Sequence, residues 1–184
     1  MKIFNKQPSL IIKRWLPLAF AVSAVFVYSY ILSQQYFRMV GNDAQVEIAG
    51  NIEQALSEGT TLDAFTTSHL IDMERSLTPY AIFYGIDQKP VSGNGSLDGN
   101  YPVPPKGVFE YLLTHKEDRF TWEPKKGVRQ AVVARYHDGV SPVFTVVGGS
   151  LREVEKHIWQ SGCITLLFWC AALVGSFLLV FATA

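Results

Sequence analysis

The feature that most constrains this chain is a C-terminal run without a charged residue. Residues 158–184 contain no Asp, Glu, Lys or Arg, and Gln160 is their only strongly polar member. At about 1.5 Å per residue, a helix of this length exceeds a hydrocarbon core of about 30 Å. The run therefore predicts a transmembrane helix that crosses with some tilt.

A second apolar run lies near the N-terminus. Residues 16–32 are apolar apart from two serines and two tyrosines, and Lys13, Arg14 and Trp15 precede them. Because cytoplasmic flanks carry an excess of Lys and Arg, we expect a cytoplasmic N-terminus and, after two spans, a cytoplasmic C-terminus. A cleaved signal peptide is the alternative. We prefer an anchor, because the small-residue triplet at 19–21 falls inside the apolar run.

The distribution of charge indicates a folded domain between the two spans. The basic residues of the first fourteen positions have no acidic counterpart, and all 16 acidic residues lie between Asp43 and Glu155. An excess of basic charge in a tail, and not along the folded domain, argues against a nucleic-acid-binding domain. The predicted segments are a cytoplasmic tail (1–15), a transmembrane helix (16–33), an extracytoplasmic domain (34–157) and a transmembrane helix (158–184). We expect the inner membrane of a bacterium, with the domain in the periplasm or outside.

Helical periodicity opens the predicted domain. Apolar residues recur every three or four positions over residues 34–58, which predicts an amphipathic helix that continues the first span as one rod, with a bend at Gly41-Asn42. We expect this stripe to pack on the domain or on a second copy of the chain. A second helix is predicted over residues 60–77, because Thr60 and Asp63 form a capping pattern. The stripe consists of Phe37, Val40, Ala44, Ile48, Ile52 and Leu56.

Strand-like runs then alternate with turn signals. The β-branched and aromatic runs are residues 80–86, 119–123, 129–136 and 142–147. A glycine-rich loop (92–101) and a helix after Pro104-Pro105 separate the first run from the others. Short turns between the last three predict an antiparallel meander, and Ser150 with Glu153 starts a helix that continues into the second span. The predicted fold class is α+β, a PAS-like or Cache-type antiparallel sheet with a long N-terminal helix, flanked by two transmembrane helices.

Several motifs of this middle region together resemble a known group. They are Asn42-Asp-Ala-Gln-Val-Glu-Ile-Ala49, Ser76-Leu-Thr-Pro79, Leu97-Asp-Gly99, Pro104-Pro-Lys-Gly-Val108, Thr121-Trp-Glu-Pro124, Gly127-Val-Arg129 and Ser150-Leu-Arg-Glu-Val-Glu155. Residues 34–156 thereby resemble small bacterial two-span membrane proteins with an extracytoplasmic Cache-like domain. By fold this group is similar to the input domains of histidine kinases and chemoreceptors, which bind carboxylates or amino acids. Since no kinase, methylation or HAMP segment follows Ala184, any signal is expected to pass to a separate membrane protein.

Two arginines and two aromatic residues are the candidate ligand site. Arg129 and Arg135 are six residues apart on one predicted strand, so period-two alternation places both on one face, where a guanidinium can fork a carboxylate. Tyr84 and Trp122, on other strands, are candidate pocket walls for a small anionic ligand. The alternatives are a solvated arginine face and a Trp in the core.

Catalytic and metal-binding patterns are not found. His69, His115, His137 and His157 lack metal-ligand spacing, and no nucleophile elbow, phosphate loop or dinucleotide fingerprint occurs. We therefore expect neither an enzyme nor a cofactor or metal.

Small residues in the second span predict a helix contact. Ala171, Ala172, Gly175 and Ser176 form overlapping small-xxx-small patterns, which let another helix approach closely. The expected partners are membrane lipid and either a membrane protein or a second copy of the chain.

Two functions follow. One is a sensory or regulatory module that passes a signal from the extracytoplasmic domain to a separate membrane partner. The other is an accessory or structural subunit of a larger membrane complex, with the domain as a docking surface. A polar cavity lined by an arginine favours sensing, whereas a closed apolar interior favours docking.

Overall fold

The structure is a computed structural model that describes residues 8–65, 70–139 and 141–183. The helices are α1 (Pro8–Val40), α2 (Asp43–Ser57), α3 (Lys106–His115) and α4 (Arg152–Thr183), with a 3₁₀ helix at Leu62–Phe65. The strands are β1 (Ile71–Asp72), β2 (Tyr80–Tyr84), β3 (Pro90–Gly93), β4 (Gly95–Ser96), β5 (Glu117–Lys125), β6 (Val128–His137) and β7 (Val143–Ser150). The fold is mixed α+β.

The chain divides into two units. One holds α1 up to Phe37 and α4 from Lys156, and the other covers Arg38–Glu155. We call the first the helical pair and the second the sheet domain.

A five-stranded antiparallel sheet forms the centre of the sheet domain. Its order is β3-β2-β7-β6-β5, which confirms the predicted meander of the last three strands. When the five strands of this sheet are numbered 1 to 5 in chain order, their order across the sheet is 2-1-5-4-3. A separate parallel pair, β1 with β4, joins Ile71 to Gly95 and Asp72 to Ser96.

Both faces of the sheet are covered. On the α2 face, α2 packs through Ala49 and Ile52 against Phe83, Val133 and Val147. The α3 face has a larger core. Its members include Met73, Tyr80, Ile82, Tyr84, Phe109, Leu112, Trp122, Val132, Phe144 and Val146. Alternation along each strand sends successive side chains to opposite faces, so one strand contributes to both cores.

The long N-terminal rod is interrupted where a bend was predicted. α1 ends at Val40, and the turn at Gly41-Asn42 separates it from α2. Of the predicted stripe, Ile48, Ile52 and Leu56 pack on the α2 face. Val40 and Ala44 are exposed. The stripe is therefore divided between two helices, because the chain turns before its middle.

The predicted helix over residues 60–77 is wrong. The described part of this region contains the 3₁₀ helix and β1, while residues 66–69 lie outside the described residues. The Asp72 carboxylate accepts the Glu74 N–H at 2.9 Å, a local turn that competes with helical hydrogen bonding. Pairing of Ile71 with Gly95 further commits the segment to an extended form. Of the apolar residues behind the helix prediction, Leu62, Phe65 and Met73 pack on the sheet, whereas Leu70 and Leu77 are exposed.

The other predicted elements differ mainly at their ends. β2 stops at Tyr84, two residues before the predicted end, and the predicted glycine-rich loop contains part of β3 and all of β4. The helix after Pro104-Pro105 is α3, as predicted. α4 begins at Arg152, whose N–H donates to the Ser150 hydroxyl at 3.3 Å.

Within the described residues, two helices are long and apolar enough to cross a membrane. They are Leu10–Phe37 and Arg152–Thr183, and the most apolar window of each is not buried in the described structure. The core helix of a soluble protein, which is mostly buried, and a signal sequence, which lies near the N-terminus as Leu10–Phe37 does, pass the same test of length and composition.

Candidate functional site

Arg129 lies on the α2 face at the start of β6. Its guanidinium Nη1 donates to Glu155 Oε1 in the first turns of α4, and its side chain is about half exposed (48%). The Leu151 N–H also donates to the Arg129 carbonyl at 3.0 Å. Arg129 therefore joins β6 to the start of α4.

Arg135 lies on the same face and is more enclosed, with 18% of its side chain exposed. Its Nε and Nη2 reach Glu117 Oε2 at 2.8 and 2.7 Å, and its Nη1 donates to Glu53 Oε2 of α2 at 2.6 Å. Arg119 Nε donates to the other Glu117 oxygen at 2.6 Å. Two guanidinium groups thus alternate with two carboxylates, and the cluster is electrically balanced.

The Arg119 and Arg135 side chains control the ionisation of Glu117. Partial burial acts to raise the pKa of Glu117, but hydrogen bonds from both arginines and their positive charges lower it further than burial raises it. The net pKa of Glu117 lies below its ordinary value. The carboxylate is therefore ionised near neutral pH, and the guanidinium groups already hold an anion from their own chain.

Tyr84 and Trp122 lie on the opposite face of the sheet from the arginines. Tyr84 is fully buried, and its hydroxyl donates to the Pro102 carbonyl at 2.5 Å. Burial raises the pKa of Tyr84 well above its ordinary value, so the hydroxyl stays protonated. Trp122 is 7% exposed within the α3-face core. The structure brings the arginines to one face and the aromatics to the other, and it does not assemble the four into one pocket.

A group of polar contacts that the sequence analysis missed holds residues 71–76, which comprise β1 and the four residues after it. Gln130, 1% exposed, donates its side-chain N–H to the Met73 carbonyl at 3.1 Å. Lys125 Nζ reaches Glu74 Oε2 at 2.8 Å and Asp98 Oδ1 at 3.0 Å. The one available signal was Gln130 itself, an amide on an apolar strand. Because the 71–76 segment was predicted to be helical, the sequence analysis could not identify its backbone carbonyls as partners of Gln130.

Arg152 adds to this group of contacts from the first turn of α4. Its Nη2 donates to the Arg75 carbonyl at 2.7 Å, and its Nη1 contacts the Glu74 carbonyl at 3.5 Å. Side chains from β5, β6 and α4 therefore hold the 71–76 segment against the rest of the sheet domain.

Reciprocal hydrogen bonds join α1 and α4 within the helical pair. Trp15 donates its indole N–H to the Ser176 hydroxyl at 3.0 Å, and Trp169 donates to the Ser23 hydroxyl at 3.0 Å. Tyr30 packs over Gly162, where an added Cβ would lie 3.3 Å from its ring. These pairs run in opposite directions along the two helices, so α1 and α4 are antiparallel.

The predicted small-residue stripe is split by this packing. Ser176 faces α1 and Ala172 is partly buried, whereas Ala171 and Gly175 are exposed. An apolar hollow of about 480 Å³ lies beside the contact. It is lined by Ser23, Phe26, Val27, Tyr30, Trp159, Gly162, Cys163, Thr165, Leu166 and Trp169.

Metal-binding geometry is absent from residues 8–65, 70–139 and 141–183, where no group of three or more His, Cys, Asp or Glu side chains could hold an ion. His115 stacks on Tyr111, and His157 stacks on Phe37. His69 lies outside the described residues.

Comparison of the chain with protein-family models, curated proteins and solved structures gives no match in any of the three. The resemblance to two-span proteins with a Cache-like domain therefore stays a prediction.

Proposed function

We propose that this protein is a membrane-anchored accessory subunit whose sheet domain docks on a protein partner outside the membrane. One observation carries the proposal. Arg135, the more enclosed of the two candidate anion-binding arginines, is already bound on both sides by Glu53 and Glu117 of its own chain. A ligand carboxylate would have to displace these partners, whereas a protein partner can use the outer surface without opening the domain.

The filled interior supports the same proposal. Tyr84, Phe109 and Phe144 are at most 1% exposed, and their rings pack with centroids 5.1 to 5.4 Å apart. Trp122 belongs to the same core. Side chains packed at this density leave little room for a ligand among the aromatics named as pocket walls.

Membrane anchoring is supported by the spacing of aromatic residues along the helical pair. Trp15 lies near one end of α1, while exposed Tyr36 lies near the other and Trp159 is exposed near the start of α4. Trp15 and Tyr36 are 21 residues apart, or about 30 Å along a helix, which equals the hydrocarbon thickness. Trp and Tyr concentrate at membrane–water interfaces. The two aromatic levels therefore fit the two surfaces of one bilayer.

The proposed orientation places both termini in the cytoplasm. Lys13 and Arg14 precede the apolar part of α1, as expected on the cytoplasmic side. The resemblance to bacterial two-span proteins supports the inner membrane, with the sheet domain in the periplasm. Periplasmic and cytoplasmic reporters fused after Ala184 test the orientation. Activity of only the periplasmic reporter would refute it.

A sensory or regulatory module is the second candidate, and two observations favour it. The sheet order, second-first-fifth-fourth-third along the chain, is compatible with a PAS-like or Cache-type sheet. In addition, β7 ends at Ser150 and α4 begins at Arg152, so one residue separates the sheet from an apolar helix. A displacement of β7 would act directly on α4.

Photo-crosslinking in cells, combined with ligand screening, separates the two functions. A photoreactive amino acid replaces exposed residues of the sheet domain, with Val91 on β3 and Tyr111 and Leu113 on α3 as starting positions. Docking predicts one partner, captured from neighbouring positions and not from positions on other faces. Sensing predicts that a carboxylate or amino acid raises the melting temperature of the purified full chain, and that Arg135→Ala abolishes this shift. Absence of any position-dependent crosslink, together with such a shift, would overturn the docking proposal.

A further inference from the structure

Two consecutive glycines near the end of β7 meet side chains from opposite faces of the sheet. Gly148 lies opposite Tyr80 in the β2–β7 register, and a Cβ at Gly148 would overlap the Tyr80 hydroxyl. A Cβ at Gly149 would overlap the side-chain amide of Gln45. A Cβ is fixed to the backbone and cannot rotate away. These short distances therefore show that the backbone of β7 is in direct contact with one residue on each face.

Gln45 also contacts the turn between α1 and α2. With its amide nitrogen facing the turn, Gln45 donates to the carbonyls of Gly41 and Asn42 at 3.0 and 3.2 Å. The side chain is 5% exposed although it is polar. A buried amide needs such partners. Gln45 therefore connects the turn at Gly41-Asn42 to the backbone of β7.

Tyr80 is the corresponding residue on the α3 face. Its ring is 2% exposed and also covers Gly95 of β4, which pairs with β1. The Tyr80 hydroxyl has no hydrogen-bond partner among the described residues, so it is held by packing alone. A rearrangement of the α3-face core that displaces Tyr80 toward β7 therefore pushes directly on Gly148.

The same stretch of chain leads into α4. Ser150 accepts a hydrogen bond from the Arg152 N–H, and Arg152 and Glu155 are held by the 71–76 segment and by Arg129. Three residues separate Gly148 from Arg152. A shift of β7 at the glycines thus reaches the first turn of α4 without an intervening loop.

We propose that Gly148 and Gly149 form a mechanical joint, which links the α3-face core through Tyr80 to the α1–α2 turn through Gln45 and to the first turn of α4. A side chain at either position would displace its neighbour, the Tyr80 ring at Gly148 or the end of the Gln45 side chain at Gly149. The joint goes beyond the proposed function. Through it, a structural change in the sheet domain would reach the α1–α2 turn and the first turn of α4, where the chain enters and leaves this domain.

Hydrogen exchange measured by mass spectrometry on the full chain in lipid nanodiscs tests the joint. In Gly149→Ala, the flexible end of Gln45 moves aside and releases the turn carbonyls, so amides of residues 43–47 should exchange about five to ten times faster. Gln45→Ala should give the same increase. Because both changes remove one contact, the double variant should exchange no faster than either single variant.

Transmission across the sheet is tested from the other face. Gly148→Ala pushes against Tyr80 and should accelerate exchange in residues 43–47 and 152–155, although it touches neither. Combination with Tyr80→Leu, which shortens the opposing side chain, should restore slow exchange. Gly107→Ala is the matched control, since Gly107 has open space around it on α3.

Protection of residues 132–134, in the central strand β6, reports whether each variant is folded. Unchanged exchange at 43–47 in the folded glycine variants would overturn the joint. A uniform increase across the whole sheet domain would also overturn it, because that result indicates ordinary loss of core packing. No partner protein is present in the exchange measurement, so a result that overturns the joint leaves the docking proposal standing. Likewise, a crosslinking result that overturns docking leaves the joint standing.

Discussion

Trp169 of α4 donates its indole N–H to the Ser23 hydroxyl of α1 at 3.0 Å, and Trp15 of α1 donates to Ser176 of α4 at the same distance. Each helix supplies one donor and one acceptor. In a lipid environment such bonds contribute little individually, since the separated helices find other partners. Their value lies in register, because both are made only when α1 and α4 are aligned in one way.

The Trp–Ser bonds predict a small, measurable coupling. Trp169→Phe should lower the free energy of unfolding by about 0.6 kcal/mol beyond any packing loss. A double-mutant cycle with Ser23→Ala, followed by detergent-induced unfolding, isolates this amount. Ser29→Ala is the control, because Ser29 bonds only the Val25 carbonyl of its own helix among the contacts described. A coupling of zero in the cycle would show that the bond does not form.

The two arginines of β6 should differ in their contribution to stability. Arg135→Ala leaves Glu53 and Glu117 beside each other without their shared cation, so we expect a loss of about 1 to 3 kcal/mol. Arg129→Ala removes an exposed pair and should cost about 0 to 1 kcal/mol. Urea denaturation of the full chain in detergent measures both. Equal losses would contradict the different exposure of the two ion pairs.

Glu117 should make the sheet domain sensitive to acid. Its pKa is below the ordinary value in the folded state, so its contribution to stability is present above the unfolded-state pKa of about 4.3 and is lost as pH falls through the folded-state pKa. Melting temperature measured between about pH 7 and pH 3 should therefore fall less steeply in Glu117→Gln, which starts lower. Glu110→Gln, which removes an exposed carboxylate on α3, is the matched control.

Tyr80→Phe is expected to stabilise the protein. The Tyr80 hydroxyl is buried without a partner among the described residues, and burial raises its pKa well above the ordinary value. Removing an unsatisfied buried hydroxyl recovers a desolvation cost of about 1 to 3 kcal/mol, less the contacts that its oxygen makes. A higher urea midpoint with an unchanged slope is the expected result. A lower midpoint would mean that the hydroxyl has a bound water or another partner.

The packing of α2 on the sheet should be essential. Ile48→Asp with Ile52→Asp places two carboxylates against Phe83 and Val147, and the cost exceeds the stability of a typical domain, about 5 to 15 kcal/mol. Loss of the cooperative melting transition is expected. Asn51→Asp, exposed on the same helix, should leave melting nearly unchanged. A folded double variant would show that α2 is not held by this face.

The sequence by itself determined the elements whose patterns arise from local physics. An uncharged run and an apolar run predict two long apolar helices, and alternating β-branched residues predict β5, β6 and β7, because these patterns follow from burial along a single element. The turn at Gly41-Asn42 and the helix after Pro104-Pro105 were also predicted, since glycine permits backbone conformations that other residues avoid and proline fixes φ. By contrast, the 71–76 region was assigned to a helix, because its apolar spacing does not show which neighbours will cover it.

Only the tertiary structure decided what the candidate site residues do. Alternation placed Arg129 and Arg135 on one face of β6. Whether Tyr84 on β2 and Trp122 on β5 lie on that face or on the opposite one depends on the register between strands. The ion pair between Arg135 and Glu53 joins residues 82 positions apart in sequence, from α2 to β6. Gln45 and Gly149, likewise, meet only when α2 lies across β7. Contacts between distant segments form through packing of whole elements, and no local pattern in the chain specifies them.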